Sequence, residues 1–209
     1  MKGKRLKLQL AFLVVYLAWD AYALVYPWVG RWSVNVLPYF LKLPLTSYRF
    51  EYSIVSWTVS HRSIHHVMRA IYRAGFVGSF WLPAIYFTLR DEERAKRLFR
   101  RFALGFGLLA LSFALFHVYA PHVVYTLPEH YALNDWTARP EFVFPSPHCT
   151  LAFIGLLSVL EERKRETLLL ALFLALVPVS TVLLGEHWVW DVLGGFIVAL
   201  LAVRLEKRV

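Results

Sequence analysis

Two residues four positions apart, His187 and Asp191, form the strongest chemical signal in the sequence. On a helix this spacing places both side chains on one face. A carboxylate beside an imidazole fixes the tautomer and makes the other ring nitrogen more basic, as a nucleophile or general base requires. The pair is therefore a candidate catalytic centre. The alternative is a structural pair that ties helix ends together, because an acid in an apolar stretch is costly unless paired.

A second signal is the segment 144–148, which reads Phe-Pro-Ser-Pro-His. Ser146 is a favourable N-cap and Pro147 a favourable first helical residue, so a helix is predicted to begin here. A helix N-terminus presents free N–H groups and the positive end of the helix dipole, which suit an anion such as phosphate. His148 would lie in the first turn, where it can donate a proton to a bound group. Simple helix capping is the alternative interpretation.

The composition indicates that these residues belong to a membrane protein. Hydrophobic residues make up 58% of the 209-residue chain, above the roughly 45–50% typical of soluble domains. Six apolar runs of 12 to 19 residues approach the length of about 20 that a membrane helix needs. The sequence therefore predicts an all-α integral membrane bundle of six transmembrane helices in a single domain, residues 1–209. The runs are 8–26, 74–89, 102–119, 149–160, 167–184 and 188–203.

The distribution of the basic residues, which give the chain a formal charge of +9, indicates its membrane topology. Sixteen of the 23 lysines and arginines lie in four clusters between the runs or at the chain ends. Six crossings from a cytoplasmic N-terminus place all four clusters in the cytoplasm, which is the positive-inside pattern. Both termini are then cytoplasmic and both chemical signals extracytoplasmic, and the charge requires no nucleic-acid partner. The basic start also resembles a cleavable signal peptide, but Asp20 interrupts the run and argues for retention.

Two long segments fall on the extracytoplasmic side. Within 27–73, apolar residues between 54 and 71 keep helical spacing while basic residues occupy another face, which predicts an extracytoplasmic interfacial helix. This helix would anchor the protein, with a gate over the site as the alternative. The second segment, 120–147, carries His122 and Arg139. The lone cysteine, Cys149, excludes an intrachain disulfide and a cysteine-based metal cluster.

The two signals resemble motifs of the type 2 phosphatidic acid phosphatase superfamily, PSGH and SRxxxxxHxxxD. Residues 145–148 are similar to the first, and Ser180-Thr181 with His187 and Asp191 reproduce the spacing of the second. The branch that includes inositol phosphorylceramide synthases is more similar, since it tolerates other residues at the motif glycine. Its first motif resembles residues 119–122. The resemblance covers a phosphatase-like core over about 68–203 and leaves 27–67 unexplained.

Departures from the motifs concern the cations that neutralise phosphate. Thr181 stands in place of the usual arginine, Pro147 in place of glycine, and no lysine precedes Arg139-Pro140 at the spacing of the KxxxxxxRP motif. We therefore predict that Arg139 binds phosphate together with Ser146, with His122 as a weaker candidate. The competing cations are Arg62, Arg69 and Arg73 of the interfacial segment.

The resemblance implies a metal-independent enzyme with no cofactor. His187 would form a phosphohistidine, Asp191 would orient it, and His148 would act as acid and then base. The substrate would be a membrane-lipid phosphate, diphosphate or phosphodiester, and the acceptor water or an alcohol such as inositol. Two other classes stay open: a metal-dependent hydrolase with His148, His187 and Asp191 as ligands, and a non-catalytic transporter or scaffold.

Overall fold

The computed structural model describes residues 2–128 and 140–208, and most of them are helical. Each apolar run of the sequence forms one helix over most of its length; the run 102–119 leaves the helix at Leu115 and continues into a short strand. Local hydrophobicity accounts for this result, and it outweighs the helix-breaking tendency of Pro27, Pro83 and Pro178, which lie within helices. The long helices are α1 (Lys2–Val29), α4 (Arg62–Arg90), α5 (Glu92–Leu115), α7 (Pro147–Leu160), α8 (Leu168–Leu183) and α9 (Val189–Glu206).

Short elements join the long helices at one end of the bundle. A two-residue strand β1 (Val34–Asn35) pairs in parallel with β2 (Phe116–His117). The remaining helices there are α2 (Leu37–Phe40), α3 (Tyr48–Ser60) and α6 (Pro121–Val124), and a 3-10 turn covers Gly30–Trp32. A second 3-10 turn, Arg165–Thr167, lies at the opposite end, between α7 and α8.

The interface between α1 and α5 is the aromatic part of the core. Phe12 packs edge-on against Phe102, and Trp19 stacks on Phe106 with ring centroids 4.9 Å apart. Further along, the Tyr26 hydroxyl donates to the Phe113 carbonyl at 3.2 Å. Because positions rise together on both helices, α1 and α5 run in the same direction.

Ion pairs gather at the opposite end of the bundle, which we call the basic end. Buried Arg101 of α5 contacts Glu206 of α9 at 3.4 Å and Glu161 after α7 at 3.0 Å. Arg90, at the end of α4, pairs with Glu166 before α8. The basic clusters within the bundle therefore lie at one end, and the first turns of α7 and α9 lie at the other, which we call the site end.

Three of the described helical segments are long and apolar enough to cross a membrane: Arg5–Trp32, Glu92–Leu115 and Arg165–Leu183. The shorter apolar helix Pro147–Leu160 has 14 residues. Six crossings remain a prediction.

The predicted interfacial stretch, 54–71, is divided between two helices. α3 ends at Ser60, α4 begins at Arg62, and His61 between them is not helical (φ −102°, ψ 74°). Ser60 Oγ donates to the Trp57 carbonyl at 2.8 Å, and His61 Nδ1 lies 2.7 Å from the same oxygen. These local side-chain contacts compete with helix continuation, which spacing alone did not reveal.

Candidate functional site

Ser146 caps the N-terminus of α7 at the centre of the site end. Its Oγ accepts a hydrogen bond from the Cys149 N–H at 3.3 Å, and Pro147 is the first helical residue. Ser146 is fully buried. The helix start predicted from the sequence is therefore present.

His187 lies in the turn between α8 and α9. Gly185 has a positive φ of 68°, which reverses the chain. The N–H groups of Glu186 and His187 then donate to the Thr181 carbonyl at 3.0 and 3.2 Å. The Thr181 hydroxyl donates to the Pro178 carbonyl at 2.7 Å, so this residue shapes the turn where the motif has an arginine.

The two ring nitrogens of His187 face different partners. Nδ1 lies 3.4 Å from Asp191 Oδ2, and Nε2 lies 3.2 Å from Ser146 Oγ. Asp191 Oδ2 also accepts from the Trp188 N–H at 2.7 Å, which fixes the carboxylate at the start of α9. Burial lowers the pKa of His187 to about 4, so the imidazole is neutral at pH 7. The arrangement leaves Nε2 directed at the capped end of α7.

His148 projects from the first turn of α7 next to His187. Their ring centroids are 5.8 Å apart. Tyr72 of α4 stacks on the His148 ring at 4.8 Å, and Phe76 packs edge-on at 5.4 Å. His148 is partly exposed whereas His187 is buried, so His148 is the more accessible of the two.

Close packing of α7 against α9 brings the two motifs together. The Ser146 N–H donates to the Asp191 carbonyl at 3.2 Å. A Cβ on Gly195 would lie 2.8 Å from Cys149 Cβ and 3.0 Å from the Ser146 carbonyl. The contact therefore requires glycine at position 195.

His122 lies beside the site rather than at the histidine pair. Its Nδ1 is 3.2 Å from the Gly185 carbonyl and 3.5 Å from Glu186 Oε2. Glu186 also accepts a hydrogen bond from the Tyr72 hydroxyl at 3.3 Å. Burial raises the pKa of Glu186 to about 7, and the Tyr72 hydrogen bond opposes that shift. Sequence analysis did not select Glu186 or Tyr72, although Glu186 is adjacent to His187.

A small pocket that opens to solvent lies next to this group. Arg69 and Arg73 of α4 line one side, one helical turn apart. The four residues Ser146, His148, His187 and Asp191 do not line it, and Tyr72 connects the pocket to His148. Arg139 lies outside the described residues. The full lining is Val55, Val59, His65, Arg69, Tyr72, Arg73, Pro128, Leu183, Leu184 and Glu186.

Comparison with known families identifies the superfamily of this chain. The PAP2 superfamily matches residues 46–205. The chain belongs to this superfamily. Members are generally phosphatases, which supports an enzyme of the phosphatase or phosphotransferase type. Together with the apolar helices, membership supports a membrane protein.

An uncharacterized protein of Methanocaldococcus jannaschii is 24% identical over 216 residues, covering 99% of this chain and 86% of that protein. No solved structure matches the chain. The PAP2 match begins at residue 46, earlier than the predicted core of 68–203, and so also includes α3 and the start of α4. The inositol phosphorylceramide synthase branch stays a prediction.

The residues of the two motifs are not arranged to bind a metal ion in the described part of the chain. Across residues 2–128 and 140–208, no group of three histidine, cysteine, aspartate or glutamate side chains is arranged to hold a metal ion. The alternative site of His148, His187 and Asp191 therefore lacks a suitable ligand geometry in the described part of the chain.

Proposed function

We propose that this protein is a membrane-embedded lipid phosphatase or phosphotransferase that works through a phosphohistidine at His187. One observation carries the proposal: His187 presents Nε2 to the capped N-terminus of α7 and Nδ1 to a buried carboxylate. A neutral imidazole with one nitrogen facing a carboxylate is an activated nucleophile. A helix N-terminus facing the other nitrogen is suited to a phosphoryl group.

In the first step, Nε2 of His187 attacks phosphorus, and the bond from phosphorus to the leaving oxygen breaks. Asp191 stabilises the positive charge that develops on the ring. His148 donates a proton to the leaving oxygen. In the second step, His148 takes a proton from water or an alcohol, whose oxygen attacks phosphorus and releases His187. Phosphate leaves with the acceptor oxygen, so His187 and His148 return to their initial states.

The partial exposure of His148 supports its role as the proton carrier, because it must meet both the leaving group and the acceptor. Stacking on Tyr72 restricts the rotation of the ring. A restricted ring suits proton transfer, which depends on a fixed donor-to-acceptor geometry.

We assign neutralisation of phosphate charge to Arg69 and Arg73. Both line the pocket next to His148, and guanidinium groups bind phosphate oxygens with two oriented hydrogen bonds. They occupy the role that Thr181 cannot fill. Arg139 stays a prediction for the same role, since it lies outside the described residues.

The pocket also supports an amphipathic substrate. Its lining combines the two arginines with four apolar residues, Val55, Val59, Leu183 and Leu184. A lipid phosphate places its acyl or prenyl part against such apolar residues and its head group beside the cations. With the basic end in the cytoplasm, the termini are cytoplasmic and the site is extracytoplasmic. Transfer of inositol phosphate, as in the inositol phosphorylceramide synthase type, is the alternative reaction, and the non-catalytic class of transporter or scaffold predicts no turnover.

The test uses purified protein in detergent with lipid phosphates and diphosphates, with and without inositol and with and without EDTA. We expect phosphate release that EDTA does not inhibit and an acid-labile phosphoenzyme that His187→Ala abolishes. His148→Ala should slow turnover roughly 100-fold or more, and a substrate with a better leaving group should rescue it in part. Turnover that survives in His187→Ala would refute the proposal.

The arginine assignment has a matched control on the same helix. Arg69→Gln and Arg73→Gln should each lower kcat/KM by about 100-fold to 1,000-fold, as loss of an oxyanion donor does. Arg62→Gln, at the exposed start of α4, should have little effect. If only Arg139→Ala is impaired, the role belongs to Arg139 instead.

A further inference from the structure

Glu51 of α3 is a buried acid that the proposed mechanism does not use. Its side chain is completely inaccessible to solvent. Neither carboxyl oxygen has a hydrogen-bond partner among the residues that the structure describes. Buried polar groups are normally hydrogen-bonded, so an acid in this state calls for a functional or solvent-mediated explanation.

The position of Glu51 on α3 directs it toward the catalytic turn. Glu51, Val55 and Val59 are spaced four residues apart and share one face of the helix. Val55 packs on the turn before His187, since a Cβ on Gly185 would lie 3.0 Å from Val55 Cγ2. Glu51 therefore lies one helical turn from a residue that contacts the loop carrying Glu186 and His187.

Asp191 also has a buried carboxyl oxygen without a hydrogen-bond partner. Its Oδ2 accepts from the Trp188 N–H, while its Oδ1 has no hydrogen-bond partner within the described ranges. Asp191 is also completely buried, and the two carboxyl groups interact electrostatically. Three buried carboxyl oxygens of these two interacting acids thus have no donor among the residues that the structure describes.

Two such buried carboxyl groups do not readily carry two negative charges. Like charges at close range disfavour double ionisation, so one group retains a proton. A protonated carboxyl has an O–H donor, and Asp191 Oδ1 has an open acceptor position. No direct hydrogen bond joins them, so an ordered internal water is the natural bridge.

We propose that Glu51 is a positioning residue that stays protonated and donates, through one internal water, to Oδ1 of Asp191. This hydrogen bond holds Asp191 as the carboxylate that orients His187. The expected effect on turnover rests on the function proposed above. The water-mediated link between the two acids does not, because it is present without any reaction.

The surroundings support the assignment of the proton to Glu51. Burial, with a smaller contribution from the charge of Asp191, raises the pKa of Glu51 to about 8. From the segment after α6, Tyr125 interacts electrostatically with Glu51, and its own pKa is raised mainly by burial. The other titratable groups on neighbouring elements line the pocket farther along α3: His65, Arg69 and Arg73 of α4, and Glu186 of the turn.

Two substitutions at position 51 separate a donor from a space-filling role. Glu51→Gln keeps the volume and an N–H donor and cannot ionise, so it should keep most of the activity. Glu51→Leu removes the donor and should lower kcat by roughly tenfold to 100-fold with little change in KM, as misplacement of a reacting group does. Wild-type activity should decline as the pH rises through about 8, and Glu51→Gln should lack this decline. Glu93→Gln, at an exposed site of the basic end, is the control.

Infrared spectroscopy tests whether Glu51 carries a proton, and it requires no enzymatic turnover. The wild-type protein at pH 7 should show the C=O stretch of protonated carboxylic acids, and Glu51→Gln should lose the part that comes from Glu51 while the part from Glu186 remains. In Asp191→Asn, the Glu51 part should disappear at a lower pH, because the neighbouring charge is gone. A missing Glu51 part, or one whose titration is the same in Asp191→Asn, overturns the proposal, as does a folded Glu51→Leu variant with wild-type kcat. Absence of a phosphoenzyme in the wild type would instead refute the proposed function and leave the infrared result to decide the role of Glu51.

Discussion

Replacing Gly195 by alanine should separate the two halves of the candidate site. The new Cβ would lie 2.8 Å from Cys149 Cβ and 3.0 Å from both the Ser146 carbonyl and the Thr150 nitrogen. These are backbone or Cβ atoms, which cannot rotate away as the end of a long side chain does. The helices α7 and α9 must therefore move apart.

The distances set the size of the effect. Ordinary contact begins near 3.4 Å, so relief of the 2.8 Å contact requires a movement of about 0.6 Å. Overpacking of this kind costs about 1–3 kcal/mol, and the better helix propensity of alanine recovers about 1 kcal/mol. Because Ser146 faces His187 across this same helix pair, a shift approaching 1 Å should reduce kcat by up to about 100-fold. Activity should therefore fall more than stability.

The assay compares phosphate release and thermal unfolding in detergent for Gly195→Ala and for Gly107→Ala. Gly107 is exposed on α5, and an added Cβ there meets nothing within 4 Å. The control should be slightly more stable than the wild type, with unchanged kcat. A folded Gly195→Ala protein with wild-type kcat would refute the reasoning that close packing of α7 on α9 sets the site geometry.

Three further predictions concern stability and topology. Arg101→Ala should cost about 1.5–3 kcal/mol, because buried Glu206 loses one of its two arginine partners and keeps Arg100. Lys96→Ala, in an exposed pair, should cost less than about 1 kcal/mol, and chemical denaturation measures both. The pKa of Glu51 is higher in the folded chain (about 8) than the ordinary 4.5, so its stabilising contribution is complete below pH 4.5 and is lost as the pH rises through 8. The melting temperature of Glu51→Gln relative to the wild type should accordingly increase over this range, and a constant difference would contradict the buried acid. In intact cells, a membrane-impermeant maleimide should label Arg49→Cys, and should label Arg208→Cys only after permeabilisation; the reverse pattern would invert the topology.

Helix positions were predictable from the sequence because hydrophobic runs and capping residues act locally. The start of α7 at Pro147, with Ser146 as its cap, follows from residue types alone. The break at His61 was not predicted, since it depends on two side chains competing for the Trp57 carbonyl. The periodicity of 54–71 is compatible with one helix or two.

The sequence by itself determined two properties of this protein. Its motif residues identify the superfamily, and its charged residues cluster between the apolar runs. It also predicted His187 and Asp191 as a chemical pair from their spacing, although His187 lies in the turn before α9 and not on the helix that carries Asp191. The tertiary structure decided the rest. Ser146 meets His187 across 41 positions, and α4 brings Arg69 and Arg73 to a pocket beside them. Glu51 gains its buried place only when α3 packs on the turn before α9. Contacts between such distant positions depend on how helices pack, and helix packing depends on the shape of whole surfaces, which no local spacing encodes.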